Sequence, residues 1–478
     1  MTEEPLVLTL DELCAATSGT PCVRGAERFT GVTIDGRTAR AGDIYFAIVG
    51  ENHDGHAFCG QAAEAGASAV VVRRGRAPSL NGVTVVEVDD PRVALGALAR
   101  HVRRALATRV VAITGSTGKT TTKGLIATFL RGAFGDTAVL ATDGSLNNET
   151  GVPLTLLRLR PQHRYAVVEM GMRGLGQIDY LAKWAEPEVG VVLNAGVAHV
   201  GLVGSLDAIA EGKSEIWGSL PSHGAAVLPE GDHRLLRLAT ERAPRARKLT
   251  FGDGPGATVC IVGVTTRGQE GSDFDLEIRS GNGVPHSLRC HVSLVGRHNV
   301  TNAACAVAVG VALGLDEKSL GKGIQALAQA RPEGQRCEIR KMGGRNLLVD
   351  CYNANPASMK AAIETLADLA SQVTVSRAVA VLGDMLELGE SETVEHERLG
   401  AILHERGIQR LIAVGERASH AARAARAHGL THVFETADPV QAARTLASWT
   451  DPGDWILIKA SRGVRLERVV SALAEVVA

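Results

Sequence analysis

The stretch Val110–Thr121, VVAITGSTGKTT, decides the fold class of this chain. Its first half is apolar and β-branched, which predicts a buried strand, and a helix is predicted to begin near Lys119. Glycines between the two allow backbone N–H groups to approach phosphate oxygens, and the helix N-terminus attracts anions. We therefore predict a nucleotide-phosphate site formed by Gly115, Ser116, Thr117, Gly118, Lys119, Thr120 and Thr121.

The chemistry of this loop assigns separate roles to two of its side chains. Lys119 would reach the β- and γ-phosphates, and the Thr120 hydroxyl would occupy a magnesium position. The strict phosphate-loop pattern has a glycine six residues before the lysine, but Ile113 stands there. The sequence therefore predicts a shortened phosphate loop.

Composition excludes several classes of protein. A length of 478 residues predicts about three domains, and a net charge of -1 gives no broad attraction to nucleic acid or to an anionic membrane. The eight cysteines are scattered without a C-x-x-C pair, which predicts reduced thiols in a cytoplasmic protein. The N-terminus has no apolar signal core, and no apolar run is long enough to span a bilayer, so we expect no membrane insertion.

Strands and helices alternate after the phosphate loop, which is typical of a parallel sheet covered on both faces. Tyr165–Gly171 predicts a strand that carries Glu169 near its end, and Glu188–Asn194 predicts another that runs toward His199. Ligands of open parallel sheets bind at the carboxyl ends of the strands. We therefore expect Lys119, Glu169 and His199 to lie at one edge of the sheet.

The predicted fold class is α/β with three domains. Residues 1–107 form a small mixed α/β domain, residues 108–329 a central P-loop-type ATPase domain with a parallel sheet, and residues 330–478 a Rossmann-like domain. The hinge between the last two is predicted at Arg331–Arg336. The C-terminal region has no G-x-G-x-x-G after its first strand, so its topology is Rossmann-like without a dinucleotide of its own.

Two features stay open when only the residues are considered. The polar loop Gly50–His56 is equally a surface connection and a binding loop. Lys213 lies on a helix predicted to begin at Ser205, where a lysine is normally solvated.

Taken together, the motifs resemble those of the Mur ligases, the ATP-dependent amino-acid and peptide ligases of bacterial cell-wall (peptidoglycan) precursor synthesis. The motifs shared with the whole family are Thr114–Thr121, Glu169, His199 and Gly296–Asn302. Three more segments resemble the members that join D-alanyl-D-alanine to UDP-N-acetylmuramoyl-tripeptide: Asn147–Pro153, Asn353–Met359 and Gly383–Gly389.

The resemblance implies a reaction and a set of cofactors. ATP phosphorylates the tripeptide carboxylate, the dipeptide amine attacks the acyl phosphate, and phosphate leaves. Lys119, His199 and Lys213 are implied as catalytic, and Thr120, Glu169, His199 and Lys213 as Mg²⁺ ligands. Lys213 lies at the family's position for a carbamylated lysine. An unmodified ammonium would repel the metal, so the resemblance implies that Lys213 is carbamylated.

The resemblance also implies which residues contact the substrates. Asn299, Arg336 and Asp350 are implied for ATP, although Arg336 could instead form an interdomain salt bridge and Asp350 a strand-end cap. Gly36 and Ala460 depart from the family's D-[S/T]-R and K-G-S-R motifs. The residues implied for the UDP-tripeptide and the dipeptide are Asp35, Arg37, Asn52, His53, Asn147, Asn148, Asn353, Asn355, Lys459 and Ser461.

Two rival functions remain at this point. A sister Mur ligase or a folylpolyglutamate synthetase would share the ATP site and differ in substrate. A nucleotide-gated scaffold would bind ATP without ligation, but Glu169, His199 and Lys213 exceed what simple binding requires. The expected state of the protein is a monomer, and the third residue of the accepted peptide, meso-diaminopimelate or lysine, stays open.

Overall fold

A computed structural model describes residues 6–197, 200–279, 286–334, 336–372 and 377–477 of the chain. Its sheets fall into the three segments predicted as domains, and we keep the predicted boundaries as proposals. None of the helices in these described ranges is long and apolar enough to cross a membrane.

The N-terminal segment is a small mixed α/β unit. Its strands are β1 (Leu8–Thr9), β2 (Thr20–Val23), β3 (Arg28–Phe29), β4 (Gly31–Thr33), β5 (Asp43–Phe46), β6 (Ala69–Arg73) and β7 (Thr84–Val88). Its helices are α1 (Leu10–Thr17), α2 (Cys59–Ala65) and α3 (Pro91–Ala105). The main sheet has the order β2-β7-β6-β5-β4 and is parallel except at β2, and β1 pairs with β3.

The central segment contains a nine-stranded sheet in the order β16-β15-β14-β13-β12-β11-β8-β10-β9. Its strands are β8 (Arg109–Thr114), β9 (Val139–Ala141), β10 (Tyr165–Glu169), β11 (Val189–Val192), β12 (Ala225–Pro229), β13 (Arg247–Gly252), β14 (Val259–Thr266), β15 (Ser272–Ile278) and β16 (His286–Val292). Its helices are α4 (Lys119–Phe134), α5 (Gly151–Leu156), α6 (Gln177–Ala185), α7 (Val200–Val203), α8 (Leu206–Ser214), α9 (His233–Arg242), α10 (His298–Ala312) and α11 (Glu317–Ala326).

Strand β8 lies between β10 and β11 in the parallel part of this sheet. Glu169 pairs in register with Ile113, and Val192 pairs with Thr114, so the three strands end at the same level. All three strands are buried along almost their whole length because helices cover both faces. This register brings the phosphate loop, Glu169 and the segment after β11 to one edge.

The C-terminal segment forms a six-stranded sheet in the order β17-β18-β22-β19-β20-β21, parallel except at β17. Its strands are β17 (Glu338–Met342), β18 (Arg345–Asp350), β19 (Ala378–Gly383), β20 (Arg410–Val414), β21 (His432–Thr436) and β22 (Trp455–Lys459). Its helices are α12 (Pro356–Ser371), α13 (Glu392–Glu405), α14 (Ala418–Ala427), α15 (Pro439–Trp449) and α16 (Glu467–Val477). The predicted α/β fold class with a Rossmann-like third unit is confirmed.

Helix α3 joins the N-terminal unit to the central one. One cluster of buried apolar side chains runs from Phe46 in the N-terminal sheet through Leu98 of α3 to Val110 of β8. The two units approach closely at Gly96, where a Cβ atom would lie 2.6 Å from the ring of Trp184. This continuous core fixes the N-terminal unit against the phosphate loop.

Candidate active site

The phosphate loop has the backbone shape that its glycines predict. Gly118 adopts a φ of 79°, a left-handed conformation that favours glycine, directly before α4. A Cβ atom on Gly115 would lie 2.9 Å from Cβ of Leu193, so this position also has no room for a side chain. In the part of the chain that the structure describes, no side chain caps the N-terminus of α4. The first N–H groups of that helix are therefore available to an anion.

Asn194 holds the first half of the loop in place. Its Oδ1 accepts hydrogen bonds of 3.0 Å from the N–H groups of both Ser116 and Thr117, and its Nδ2 donates to the carbonyl of Thr117. The N–H groups of Ser116 and Thr117 are thus engaged by protein. In a loop whose backbone N–H groups all face phosphate, those of Ser116 and Thr117 would also bind it. Here the backbone N–H groups left for phosphate are those of Gly118 and the first turn of α4.

Lys119 begins α4 and is half-buried with its Nζ 2.8 Å from the carbonyl oxygen of Gly115. Desolvation lowers the pKa of this ammonium, whereas the nearby Glu169 carboxylate opposes that shift. A partly dehydrated cation interacts strongly with the oxygens of a polyphosphate. Its position fits the predicted contact with the β- and γ-phosphates.

The Glu169 carboxylate is almost fully buried and is held through both oxygens. Oε2 accepts a 2.7 Å hydrogen bond from the Thr120 hydroxyl, and Oε1 accepts a 2.7 Å bond from Nδ2 of Asn147. The Glu169 N–H donates to the Thr142 hydroxyl, which fixes the end of β10. This arrangement places a hydroxyl and a carboxylate oxygen side by side, as a hard cation requires.

Lys213 lies at the end of α8 and is only 3% exposed. Burial, and then the positive charge of Lys119, place its pKa well below the usual lysine value. Within the described residues, no hydrogen bond or ion pair is found for its Nζ. The solvated lysine expected from the residues alone is therefore wrong, because the side chain turns inward to the cavity.

His199, predicted as a catalytic and metal-binding residue, lies outside the described residues. No cluster of three or more His, Cys, Asp or Glu side chains that could hold a metal is found among the residues that the structure does describe.

One cavity of about 1660 Å³ joins the three units. Most of the predicted site residues line it: Asp35, Arg37, Asn52, His53, Ser116, Thr117, Gly118, Lys119, Thr120, Thr121, Asn147, Asn148, Glu169, Lys213, Arg336, Asp350, Asn353, Asn355 and Lys459. Single small-ligand pockets measure roughly 300–1,000 Å³. The cavity is thus large enough for more than one substrate.

The C-terminal wall of the cavity is built on the ends of two neighbouring strands. Asp350 of β18 pairs with Lys459 of β22, and Lys459 Nζ lies 2.5 Å from Asp350 Oδ2 and 2.9 Å from the carbonyl of Asn353. The Arg336 guanidinium stacks over the Tyr352 ring at 4.1 Å in a cation–π contact, and no salt bridge of Arg336 is found among the described residues.

The N-terminal wall of the cavity carries the predicted UDP-binding motif. Arg37 donates to both carboxylate oxygens of Asp35, and these bonds lower the pKa of Asp35 to about 2. Gly36 between them is buried, and a Cβ atom there would lie 3.2 Å from the carbonyl oxygen of Phe58. Tight packing therefore explains why glycine replaces the hydroxyl residue of the family motif. His53 also lines this wall, in edge contact with the Phe58 ring.

Three predicted residues do not line the cavity. Gly115 shapes the loop from beneath, and Asn299 is buried with its amide donating to the carbonyl of Val295. Asn299 Oδ1 accepts a 2.9 Å bond from Asn302, which does line the cavity, so Asn299 supports the wall from behind. Ser461 accepts from the Leu386 N–H and donates to the carbonyl of Ala354, so it joins two loops and does not face the cavity.

Three segments of the chain match Mur ligase domains. Residues 28–103 match the catalytic domain of the Mur ligase family, residues 113–310 the Mur ligase middle domain, and residues 335–462 the Mur ligase glutamate ligase domain. The UDP-N-acetylmuramoyl-tripeptide–D-alanyl-D-alanine ligase of Bacillus subtilis is 36% identical over 93% of both chains. The chain belongs to the Mur ligase family.

Solved structures agree with this membership. A crystal structure of MurF from Acinetobacter baumannii is 32% identical to this Mur ligase and has a TM-score of 0.86. The match covers 98% of this chain and 99% of that one. The MurF ligase of Thermotoga maritima in complex with ADP is 27% identical, with a TM-score of 0.78 and coverage of 93% of this chain and 97% of that one. The family resemblance found in the motifs is confirmed.

Four residues of this Mur ligase site were missed by sequence reasoning. Asn194 follows a buried strand at the edge where ligands bind, and Asn302 lies in the Gly296–Asn302 motif, so both carried a usable signal. Tyr352 lies two residues after the end of β18 and directly before the Asn353–Met359 motif. Lys123, one helical turn after Lys119, is buried against distant residues, and no local pattern indicates that.

Proposed function

We propose that this Mur ligase joins D-alanyl-D-alanine to the terminal carboxylate of UDP-N-acetylmuramoyl-tripeptide, with conversion of ATP to ADP and phosphate, in peptidoglycan precursor synthesis. The observation that carries the proposal is the single cavity in which the phosphate loop meets the walls of both flanking units. The identity to a ligase of that name over nearly the whole chain supports this substrate pair over that of a folylpolyglutamate synthetase.

In the proposed first step, a carboxylate oxygen of the tripeptide attacks the γ-phosphorus of ATP and the bond to the β-phosphate bridging oxygen breaks. Lys119 and the N-terminus of α4 hold the phosphate oxygens, so they stabilise the charge that accumulates there. In the second step the dipeptide amine attacks the acyl carbon. The tetrahedral intermediate then expels phosphate, and the amine proton passes to solvent or to phosphate.

The residues around Glu169 fit a magnesium ion. A hard cation prefers oxygen donors, and the Thr120 hydroxyl and the Glu169 carboxylate supply them side by side. When bound, Mg²⁺ would neutralise phosphate charge and orient the transferred group. Asn147, which donates to Glu169, would keep the carboxylate in one orientation. His199 remains a proposed ligand from its motif alone.

Carbamylation of Lys213 is part of the proposal. A buried ammonium without a partner beside another ammonium is unfavourable, so the neutral amine is favoured. The neutral amine forms an N–C bond with CO₂ and releases one proton, which converts the uncharged side chain into a carboxylate-like anion. An anion at this place would offset the charge of Lys119 and provide a further oxygen ligand.

The N-terminal wall of the cavity would bind the UDP-tripeptide, and the C-terminal wall would bind the dipeptide and ATP. Asp35, Arg37, Asn52 and His53 would contact the UDP end of the tripeptide substrate. Asn353, Asn355 and Lys459 would contact the incoming dipeptide, and Arg336 and Asp350 would contact ATP. Because ATP and nucleotide-linked precursors are cytoplasmic metabolites, we place the enzyme in the cytoplasm, and we propose that it acts as a monomer.

The test is an ADP-release assay with both substrates present or with either one omitted, run with the meso-diaminopimelate and the lysine tripeptide. The proposal predicts ADP only when the tripeptide and the dipeptide are both present, and the faster tripeptide identifies the third residue. ATP turnover without either substrate would indicate a scaffold or another NTPase. Turnover with a different amine would indicate a sister ligase.

A further inference from the structure

An ion pair between a buried lysine and a partly exposed glutamate links the phosphate-loop helix to the hinge before the C-terminal unit. Lys123 of α4 is 1% exposed, and its Nζ forms a salt bridge with Glu333, 210 residues later in the chain. The same Nζ donates a 2.8 Å hydrogen bond to the carbonyl of Thr142. A buried lysine is rare without such partners, because an uncompensated charge in the interior is strongly unfavourable.

The helix surface is shaped to receive the Glu333 side chain. The next residue of α4 is Gly124, and a Cβ atom there would lie 2.6 Å from Oε1 of Glu333. A glycine inside a helix costs roughly 1 kcal/mol relative to alanine. The close approach of the glutamate gives a physical reason for that glycine.

Both ends of this ion pair connect to the active site. On one side, the hydroxyl of Thr142 accepts the N–H of Glu169, the proposed metal ligand. On the other side, Arg336 follows Glu333 by three residues and lines the same cavity as Lys119. The pair therefore fixes where the hinge packs against α4, three residues before Arg336 lines the cavity.

We propose that Glu333, held by Lys123, is a positioning residue that places Arg336 against the phosphates of bound ATP. This inference rests on the proposed ATP site and adds a residue that contacts no substrate itself. Glu333 acts by anchoring the hinge, so its removal weakens nucleotide binding through Arg336 and not through loss of a direct contact.

The experiment measures the affinity for a non-hydrolysable ATP analogue by calorimetry, with thermal melting in parallel. Glu333→Gln keeps the size of the side chain and removes its charge. We expect about tenfold weaker binding from this variant. Gly124→Ala displaces the flexible end of the Glu333 side chain while keeping both charges, so we expect a smaller loss of affinity in the same direction. Glu241→Gln, at an exposed pair with Arg237, is the matched control and should bind like the wild type.

The double variant Glu333→Gln/Arg336→Ala separates positioning from a general structural role. Positioning predicts that it binds as weakly as Arg336→Ala alone, because Glu333 acts through that arginine. Additive losses, or a lower melting temperature with unchanged analogue affinity, would overturn the proposal. Since the readout is analogue binding without turnover, failure here is distinguishable from failure of the proposed ligation, which is tested by turnover in the ADP-release assay.

Discussion

The hydroxyl of Thr120 donates a 2.7 Å hydrogen bond to Oε2 of Glu169, which joins the first turn of α4 to the end of β10. The other carboxylate oxygen accepts from Asn147, so the plane of the carboxylate is fixed by two different elements. Two fixed oxygens next to the phosphate loop fit the magnesium ion that we propose there. Asn147 thereby connects the Asn147–Pro153 segment to a carboxylate that lies on another strand.

Replacement of Asn147 by alanine should weaken the response to Mg²⁺. The variant frees one oxygen of Glu169, and loss of such an orienting partner typically costs 10–100-fold in metal affinity or activity. The measurement is the Mg²⁺ concentration that gives half-maximal ADP release. A magnesium dependence equal to that of the wild type would mean that Asn147 does not orient the ligand.

Replacement of Lys119 by alanine should abolish ligation while UDP-tripeptide binding stays largely intact. Loss of a preorganised group at the developing phosphate charge costs roughly 10²–10³ in kcat. UDP-tripeptide binding should persist because its proposed UDP contacts lie on the N-terminal wall and not on the phosphate loop. Ligation is followed by ADP release and UDP-tripeptide binding by calorimetry. Lys183→Ala, at an exposed pair with Asp179 on α6, is the control. Strong residual turnover would contradict the phosphate assignment.

Lys213 gives a prediction for activity. Removal of the side chain in Lys213→Ala should reduce turnover at least about 100-fold, the upper range for loss of a group that supports a metal site. Added formate or acetate should restore part of it, because a small carboxylate can occupy the space of the carbamate. A flat response to both anions would count against carbamylation.

The same residue gives a prediction for stability. Because burial lowers the pKa of Lys213, the unfolded chain binds more protons than the folded one between the lowered value and the ordinary 10.5. In CO₂-free buffer, wild-type stability should therefore rise with pH through this window, and Lys213→Met should be more stable near neutrality. For Lys213→Met, a melting temperature raised by about 2–4 °C would correspond to a gain of about 1 kcal/mol in the free energy of unfolding. A Met variant that melts below the wild type would contradict the inward, unpaired position.

Gly36 offers a test of the N-terminal wall. Gly36→Ser restores the hydroxyl of the family motif, but its Cβ would lie 3.2 Å from the Phe58 carbonyl oxygen, so the Asp35–Arg37 pair must shift. We expect a KM for the UDP-tripeptide raised by about three- to tenfold, at the low end of overpacking costs. Gly60→Ser, in the same unit with nothing within 4 Å of its Cβ, is the matched control. A lower KM in Gly36→Ser would show that the hydroxyl is compatible with this wall.

The sequence predicted those parts of the fold that depend on local patterns. The strand in the first half of Val110–Thr121 and the helix beginning at Lys119 lie where predicted, because an apolar run and glycines mark their ends. The carboxyl-end placement of Glu169 was predicted from topology and is confirmed by its register with Ile113.

The remaining features depend on contacts between distant segments. Asn299 and Asn302 lie on the same helix, and only packing decides that Asn302 lines the cavity while Asn299 supports it. The inward turn of Lys213 and the pairing of Lys123 with Glu333 follow from tertiary packing that no local period encodes. Sequence motifs thus indicated which groups take part in the chemistry. They did not indicate which side chains hold those groups in place.

The central claim is that this cavity phosphorylates a carboxylate and then transfers the acyl group to an amine. The most direct test uses UDP-tripeptide with both terminal carboxylate oxygens replaced by ¹⁸O, and mass spectrometry of the released phosphate. An acyl-phosphate route transfers one carboxylate oxygen to phosphate, so each phosphate should carry one ¹⁸O. Release of phosphate without ¹⁸O during full ligation would contradict it.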